Sequence, residues 1–254
     1  MIERRLPWLI LFLLGFIVIN AYASGKESTS VPGFKKVWVY GNTVNPSSVA
    51  VILSGDGGWV LGVVRLSHEL AKQNVMVIGV NVMPYMRYLR KQPSDCFDMA
   101  SDFDKLARNV EAKYHLNYQK PVLIGYSLGA TYVYGMLAQA QAHTFRAGLS
   151  LGFCSDLEEK KIFCRGAGLE CVKREKGKGY DLQPVSYLQD PFVMIHGDKD
   201  PECNICKVKD FAGKTAHTEI MVLPGIRHGG LGLRRWMPTI LETYKTLTEP
   251  GFNE

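Results

Sequence analysis

The strongest constraint on the fold is the stretch of residues 122–130, which reads Val-Leu-Ile-Gly-Tyr-Ser-Leu-Gly-Ala. Three apolar residues that favour strands run into Gly-x-Ser-x-Gly, and a segment of helical character follows. Such a turn from strand to helix is so tight that side chains at Gly125 and Gly129 would collide with the neighbouring strand and helix. The pattern predicts a nucleophile elbow with the hydroxyl of Ser127 exposed, against the alternative of an ordinary strand–loop–helix turn.

Apolar runs rich in β-branched residues alternate with segments of helical spacing along the rest of the chain. We expect strands at residues 37–40, 48–53, 75–82, 122–124, 146–153, 192–195 and 219–223. We expect helices at residues 63–71, 97–110 and 231–247 and directly after the elbow, with an irregular loop at 83–93. This alternation predicts an α/β fold in which helices cover both faces of a mostly parallel sheet.

The domain organisation follows from length and composition. A chain of 254 residues, 46% of them hydrophobic, suits one large domain, and we see no repeat or linker that would divide it. We therefore predict a single domain over residues 35–254. Residues 154–190 interrupt the alternation with cysteines, glycines and the basic run of residues 173–178. We interpret this segment as a surface excursion or a small lid.

The N-terminus has the pattern of an export signal. Arg4 and Arg5 precede an apolar stretch at residues 9–19, and residues 21–23 form a small-x-small cleavage site. The apolar stretch is short for a membrane span, so a cleaved signal peptide at residues 1–23 is favoured over an uncleaved anchor. Residues 24–34 would then be a flexible leader.

Export changes the interpretation of six cysteines, because an even number in an exported chain favours disulfides. They are Cys96, Cys154, Cys164, Cys171, Cys203 and Cys206. Closeness in sequence favours Cys164–Cys171 and Cys203–Cys206, which leaves Cys96–Cys154, although six cysteines allow many connectivities. A redox Cys-x-x-Cys motif at 203–206 and a zinc site built from both close pairs are weaker alternatives, so we expect no metal.

A serine hydroxyl needs a base to take its proton and an acid to orient that base. The chain order Ser, acid, His, with each residue just after a strand, is that of α/β-hydrolases. Ser127, Asp200 and His228 occur in this order, and the carboxyl ends of parallel strands share one edge of a sheet. We therefore predict that these three form a catalytic triad. The offset from the strand favours Asp200 as the acid, with Asp198 as the alternative.

An oxyanion needs two N–H donors, one of which is expected from Leu128, directly after the nucleophile. The second is expected from the Gly-rich loop at residues 54–59, at the N–H of either Asp56 or Gly57. An ordinary Gly-rich turn is the alternative for this loop. No Gly-Lys-Ser/Thr follows it, so a nucleotide site is not indicated, and the chain has no nucleic-acid motif.

Several residues near the predicted strand ends are candidates for substrate binding. The Asp56 carboxylate is suited to a cationic group, and Trp59 and Tyr126 flank the predicted site. Arg87, in a stretch that also holds Tyr85, Tyr88 and Arg90, is suited to an anionic head group, with a solvated loop as the alternative. The basic run at 173–178 is either a contact with an anionic membrane surface or a solvated loop.

Three stretches together resemble a known family. Ser-Gly-Asp-Gly-Gly-Trp at 54–59, Gly-Tyr-Ser-Leu-Gly-Ala at 125–130 and Pro-Gly-Ile-Arg-His-Gly-Gly at 224–230 are similar to the VirJ/AcvB-type bacterial virulence proteins of the α/β-hydrolase superfamily. The resemblance spans residues 35–248. It implies a periplasmic serine hydrolase, with no cofactor, whose triad maps onto Ser127, Asp200 and His228.

The same resemblance implies a substrate class and a setting. In the AcvB branch it implies hydrolysis of aminoacyl-phosphatidylglycerol, notably lysyl-phosphatidylglycerol, and a link to virulence and type IV secretion. The first hypothesis is therefore an esterase acting on a lipid or small-molecule ester. The alternative is a non-catalytic accessory protein that binds secretion-system proteins on a hydrolase scaffold, because fold alone does not establish catalysis.

Overall fold

The computed structural model describes residues 22–59, 61–166, 168–175, 177–229 and 233–251. The main strands are β1 Tyr22–Ser28, β2 Lys36–Asn42, β3 Ser48–Leu53, β4 Val75–Val80, β6 Val122–Tyr126, β7 Ala147–Leu151, β12 Phe192–Gly197 and β13 Thr218–Leu223. Short strands are β5 Cys96–Phe97, β8 Asp156–Leu157, β9 Ile162–Phe163, β10 Cys171–Lys173 and β11 Tyr180–Leu182. The helices are α1 Leu61–Ala71, α2 Val82–Lys91, α3 Met99–Lys113, α4 Leu128–Gln139, α5 Ile205–Lys214 and α6 Met237–Thr248.

The main strands form one sheet in the order β1-β2-β4-β3-β6-β7-β12-β13. The six strands from β4 to β13 pair in parallel, whereas β1 and β2 are antiparallel additions at one side. The parallel strands therefore end at the same edge, and the loops that follow β3, β6, β12 and β13 meet there. The predicted α/β-hydrolase fold is confirmed.

Two apolar cores lie on opposite faces of this sheet. Along β3, Val51 and Leu53 point to the core that holds α2 to α5, whereas Ile52 points to the core that holds α1 and α6. This is the alternation of a strand buried on both faces, which reads in sequence as a continuous apolar run. The residues of α4 from Gly129 to Gln139 are buried, so the helix that begins at the elbow is fixed at the centre of the molecule.

The predicted flexible leader at residues 24–34 is wrong in its first part. Tyr22–Ser28 forms β1, which pairs antiparallel with β2 from Tyr22 opposite Asn42 to Ser28 opposite Lys36. The segment has few apolar residues, so its strand is stabilised by backbone pairing that composition does not reveal. Residues 1–21 of the predicted signal peptide lie outside the described residues.

The segment at 83–93, predicted as an irregular loop, is also corrected, because residues 82–91 form α2. The Asn81 side chain caps the helix by accepting the N–H of Met83, and Pro84 falls in the first turn, where proline is tolerated. Val82, Tyr85, Met86 and Leu89 give the buried face. Proline and the many Tyr and Arg residues concealed this helical spacing.

Residues 154–190 depart from the alternation as predicted and form short strands. A small antiparallel sheet has the order β10-β11-β8, and β9 pairs in parallel with β5. The buried carboxylate of Glu159 accepts two hydrogen bonds from Arg90, at 2.5 and 2.9 Å, and one from Tyr132 at 3.3 Å. These contacts fasten the excursion to α2 and α4.

All three predicted disulfides are wrong. The structure joins Cys96 to Cys164 and Cys154 to Cys203, with Cα–Cα distances of 4.8 and 5.4 Å. Cys171 and Cys206 are free thiols. Topology explains the pairing, because β5 lies beside β9, and Cys154 and Cys203 follow the adjacent strands β7 and β12. Since Cys164 and Cys203 are bonded elsewhere, the zinc site built from the two close pairs is excluded as well.

One buried carboxylate predicts a pH dependence of stability. Glu111 is 1% exposed, and this burial raises its pKa from 4.5 to about 7. The hydrogen bond from the Gln119 N–H and the charge of Arg108 lower the pKa but do not offset the effect of burial. The folded state thus holds the proton more tightly than the unfolded chain. We expect the free energy of unfolding to fall as pH rises from about 4.5 through 7, by at most about 3 kcal/mol.

This pH dependence is checked by urea unfolding of Glu111→Gln at pH 5 and pH 8. The substitution should be more favourable to stability at pH 8 than at pH 5, because it removes the cost of ionisation. The exposed Glu170→Gln is the matched control. An equal effect of Glu111→Gln on stability at both pH values would contradict the raised pKa of Glu111.

Among the described residues, no helix combines the length and apolar character needed to cross a membrane.

Candidate active site

Ser127 lies at the turn from β6 to α4 with φ 53° and ψ −121°, in the left-handed region that non-glycine residues seldom adopt. Its N–H donates to Leu151 O at 2.9 Å, which ties the turn to β7. A Cβ on Gly125 would lie 2.1 Å from Gly129 O, and one on Gly129 would lie 2.6 Å from Ser54 O. The elbow predicted from the sequence therefore has the close backbone approach for which its glycines are needed.

Three side chains form one hydrogen-bonded chain at this edge of the sheet. The Ser127 Oγ lies 2.9 Å from His228 Nε2, and the opposite ring nitrogen, Nδ1, lies 2.6 Å from Asp200 Oδ2. The Asp200 side chain is fully buried and that of His228 is 11% exposed. A hydroxyl, an imidazole and a carboxylate in this order can deliver a serine alkoxide to a carbonyl carbon.

The loop after β12 fixes the carboxylate. Asp200 Oδ1 accepts the N–H groups of Glu202 and Cys203 at 2.9 and 3.0 Å, which leaves Oδ2 for His228. Asp198, the alternative acid, instead accepts the Gly225 N–H at 2.6 Å and joins this loop to the one after β13. Asp200 is thus the carboxylate that contacts the imidazole.

The loop that holds His228 is positioned by Tyr126 and Gly152. Tyr126 was predicted to bind substrate, but its hydroxyl donates to His228 O at 3.1 Å. Gly152, at the end of β7 with φ 69°, lies against the ring, since a Cβ there would be 3.2 Å from His228 Cε1. These contacts make Tyr126 a positioning residue for the imidazole.

The predicted N–H donors for an oxyanion differ in what else they bind. Leu128 is the first residue of α4, where an N–H has no acceptor within the helix. In the loop after β3, the Gly57 N–H donates to Asp56 Oδ1 at 2.9 Å, and the Gly58 N–H donates to Gly55 O. Of the two candidates weighed in the sequence, these contacts favour the N–H of Asp56.

The structure gives the surroundings of two other predicted substrate-binding residues. The Trp59 ring stacks on Trp38 with centroids 4.9 Å apart and fills the space over Gly79, so it belongs to the packing of the sheet. Arg87 is exposed on α2. Two residues of the same stretch already have partners within the protein, because Tyr85 donates a hydrogen bond to Asp102 and Arg90 forms an ion pair with Glu159. The position of Trp59 near a predicted strand end did not reveal that its ring would pack on the sheet.

The basic run at 173–178 is partly paired. Arg174 lies 3.5 Å from both Asp156 and Asp181, whereas Lys173 and Lys178 are exposed. In the part of the run that the structure describes, which omits residue 176, two exposed lysines are therefore available for a membrane contact.

His196 is fully buried beside the loop after β12 that carries Asp200, which we call the acid loop. Its Nε2 donates to Cys203 O at 2.9 Å, and burial lowers its pKa. A neutral ring at this position supports the backbone that presents Asp200.

One group of possible metal ligands is found in the described part of the chain, formed by Asp200, Cys203 and His228 within 4.8 Å of one another. The Cys203 sulfur is bonded to Cys154, and the other two residues bind each other. A disulfide sulfur is not the thiolate that a metal binds, so the donor set does not fit a metal ion.

Sequence reasoning missed one charged residue of the site. Glu202 Oε2 lies 3.5 Å from His228 Nε2, the same nitrogen that faces Ser127. Its position two residues after the predicted acid was the available signal, because the acid loop turns back toward the imidazole.

The sequence comparison with protein families matches residues 47–165 to the family "Bacterial virulence protein (VirJ)". The match includes the Gly-rich loop after β3 and the elbow, and it ends before the residues that supply Asp200 and His228. The predicted resemblance to the VirJ family is thereby confirmed over residues 47–165, and the match does not extend to the rest of the span 35–248. A comparison with curated proteins found no match.

Solved structures share the fold over most of the chain. Thermogutta terrifontis esterase 2, phosphonylated by sarin, is 15% identical with a TM-score of 0.62, covering 90% of this chain and 95% of its own. A Klebsiella pneumoniae protein described as a dienelactone hydrolase is 14% identical with a TM-score of 0.61, covering 90% and 99%. At these identities the comparison establishes the fold.

Proposed function

We propose that this chain, whose residues 47–165 match the VirJ family, is a periplasmic serine hydrolase that cleaves a carboxylic ester. One observation carries the proposal: Asp200, His228 and Ser127 are linked by hydrogen-bond distances of 2.6 and 2.9 Å in the order that catalysis requires. The likeness to esterases of this fold supports it.

The reaction follows from the positions of these groups. His228 Nε2 takes the proton of Ser127 as Oγ attacks the ester carbonyl, and Asp200 holds the opposite ring nitrogen and stabilises the imidazolium. The N–H groups of Leu128 and Asp56 receive the oxyanion. The imidazolium then protonates the leaving alkoxide, and water releases the acyl group by the same steps.

The substrate we propose is the aminoacyl ester of aminoacyl-phosphatidylglycerol, as the family resemblance implies. Cations flank the His228 loop, where they are suited to a phosphodiester. Lys199 and Arg227 are exposed on adjacent loops that are joined by the Lys199 N–H and Ile226 O at 2.9 Å. Arg235 lies against the same loop and donates to Gly225 O at 3.3 Å.

Export to the periplasm is supported by the signal pattern at residues 1–23 and by the two disulfides, which persist in oxidising compartments. A periplasmic location also gives the site access to lipid head groups of the membrane.

The proposal is tested with purified protein and vesicles that contain lysyl-phosphatidylglycerol. We expect the wild type to release lysine and Ser127→Ala to release none above background, with both proteins folded. Ser101→Ala, on α3 away from the site, is the matched control and should retain wild-type activity. Lysine release by Ser127→Ala at the wild-type rate would contradict the mechanism, whereas cleavage of simple esters alone would contradict the lipid substrate.

A further inference from the structure

A cavity of about 820 Å³ lies beside the loop that carries Asp200, and its lining includes Glu202 and Cys203 of that loop but not Ser127, His228 or Asp200. It lies between the acid loop, α5 and the excursion, and its walls include the disulfide of Cys154 and Cys203. Glu202 also lines the cavity and marks its point of contact with the reacting groups, because its Oε2 is 3.5 Å from His228 Nε2.

The carboxylates of this cavity differ in their partners. Asp156 and Asp181 each lie 3.5 Å from Arg174, and Asp210 lies 2.6 Å from Lys214. Glu202 pairs with no lysine or arginine in the described part of the chain, and its side chain is 66% exposed. It is therefore an uncompensated negative charge on the cavity wall, 3.5 Å from the imidazole nitrogen that faces Ser127.

We propose that Glu202 binds the α-ammonium group of an aminoacyl ester and thereby makes the site prefer aminoacyl esters to simple acyl esters. This rests on the proposed ester hydrolysis. The carbonyl carbon must approach Ser127 Oγ to about 3–3.5 Å, and an α-ammonium nitrogen is two bonds from that carbon. It is thus within reach of a carboxylate that lies beside His228 Nε2.

The position of Glu202 also favours it over Asp56, the acid expected from the sequence to attract a cation. Asp56 lies in the loop after β3, where its Oδ1 accepts the Gly57 N–H at 2.9 Å. This contact engages one oxygen of the carboxylate, and Asp56 is not among the residues that line the cavity. Glu202 instead lies on the side of the imidazole and the cavity.

The test uses two esters that differ only in the ammonium group, the 4-nitrophenyl esters of alanine and of propionic acid. In Glu202→Gln we expect kcat/KM for the alanyl ester to fall about tenfold, the scale of one hydrogen bond to a charged group. The propionyl ester should be unaffected. Asp210→Asn, which removes a paired carboxylate from the same cavity, is the matched control and should change neither value.

Three results would overturn the inference. One is an equal fall for both esters with a shifted pH profile, which would mean that Glu202 acts through His228. The second is an unchanged preference in Glu202→Gln together with a lost preference in Asp56→Asn. The third is no turnover of either ester by the folded wild type, which would overturn the proposed function as well; the first two leave that function standing.

Discussion

Replacing Asp200 with Asn should lower kcat by about 10⁴-fold and leave the fold intact, as the same change does in another serine hydrolase with a triad. The amide can still accept the N–H groups of Glu202 and Cys203, so the loop keeps its backbone contacts. It would present an N–H to His228 Nδ1, however, and the ring would move its proton to Nε2. An imidazole protonated at Nε2 cannot accept the proton of Ser127.

Asp198→Asn is the matched control for this experiment, since Asp198 accepts the Gly225 N–H and does not contact the imidazole. It should retain most of the activity. The measurement is kcat with a simple ester, together with the thermal midpoint of each variant. A larger loss in Asp198→Asn than in Asp200→Asn would mean that the acid has been assigned to the wrong carboxylate.

Replacing Gly125 with Ala should destabilise the protein by about 3 kcal/mol, the upper part of the usual range for overpacking. The new Cβ would lie 2.1 Å from Gly129 O and 2.6 Å from Ala130 N. Both are backbone atoms at the start of a buried helix, so neither can move without shifting α4 from the sheet. Activity should be lost with the displacement of Ser127.

Gly213→Ala on α5 is the control, because a Cβ there meets nothing within 4 Å. It should be neutral or slightly stabilising, since alanine favours helices over glycine. Urea unfolding measures both variants. A Gly125→Ala protein with the wild-type unfolding midpoint would show that the elbow is not as closely packed as the structure has it.

The elements that place the reactive groups could be predicted from the sequence because each rule involved is local. Apolar runs gave the strands of the parallel sheet, and Ser127, Asp200 and His228 each follow one of them. Once strands are parallel, their carboxyl ends share an edge, so order along the chain is enough to bring the three side chains together. Chain order alone does not separate Asp198 from Asp200, because they differ by two positions in one loop; the offset from the strand was needed to favour Asp200.

Features that depend on contacts between distant segments were not predictable. The cysteine pairs follow from the adjacency of β7 with β12 and of β5 with β9, which sequence spacing does not contain. The direction of a side chain is equally hidden, so Trp59 was expected at the substrate and instead packs on Trp38. Glu202 was missed because its closeness to the imidazole depends on how the acid loop turns.

The central claim is that Ser127 is a nucleophile activated by His228, rather than part of a binding scaffold that retains a hydrolase fold. A fluorophosphonate probe reports this directly, because it forms a covalent bond with an activated serine. Peptide mapping after labelling should find the adduct on Ser127 in the wild type and little or none in folded His228→Ala. Absence of labelling in the folded wild type at every pH, or equal labelling of His228→Ala, would contradict the account.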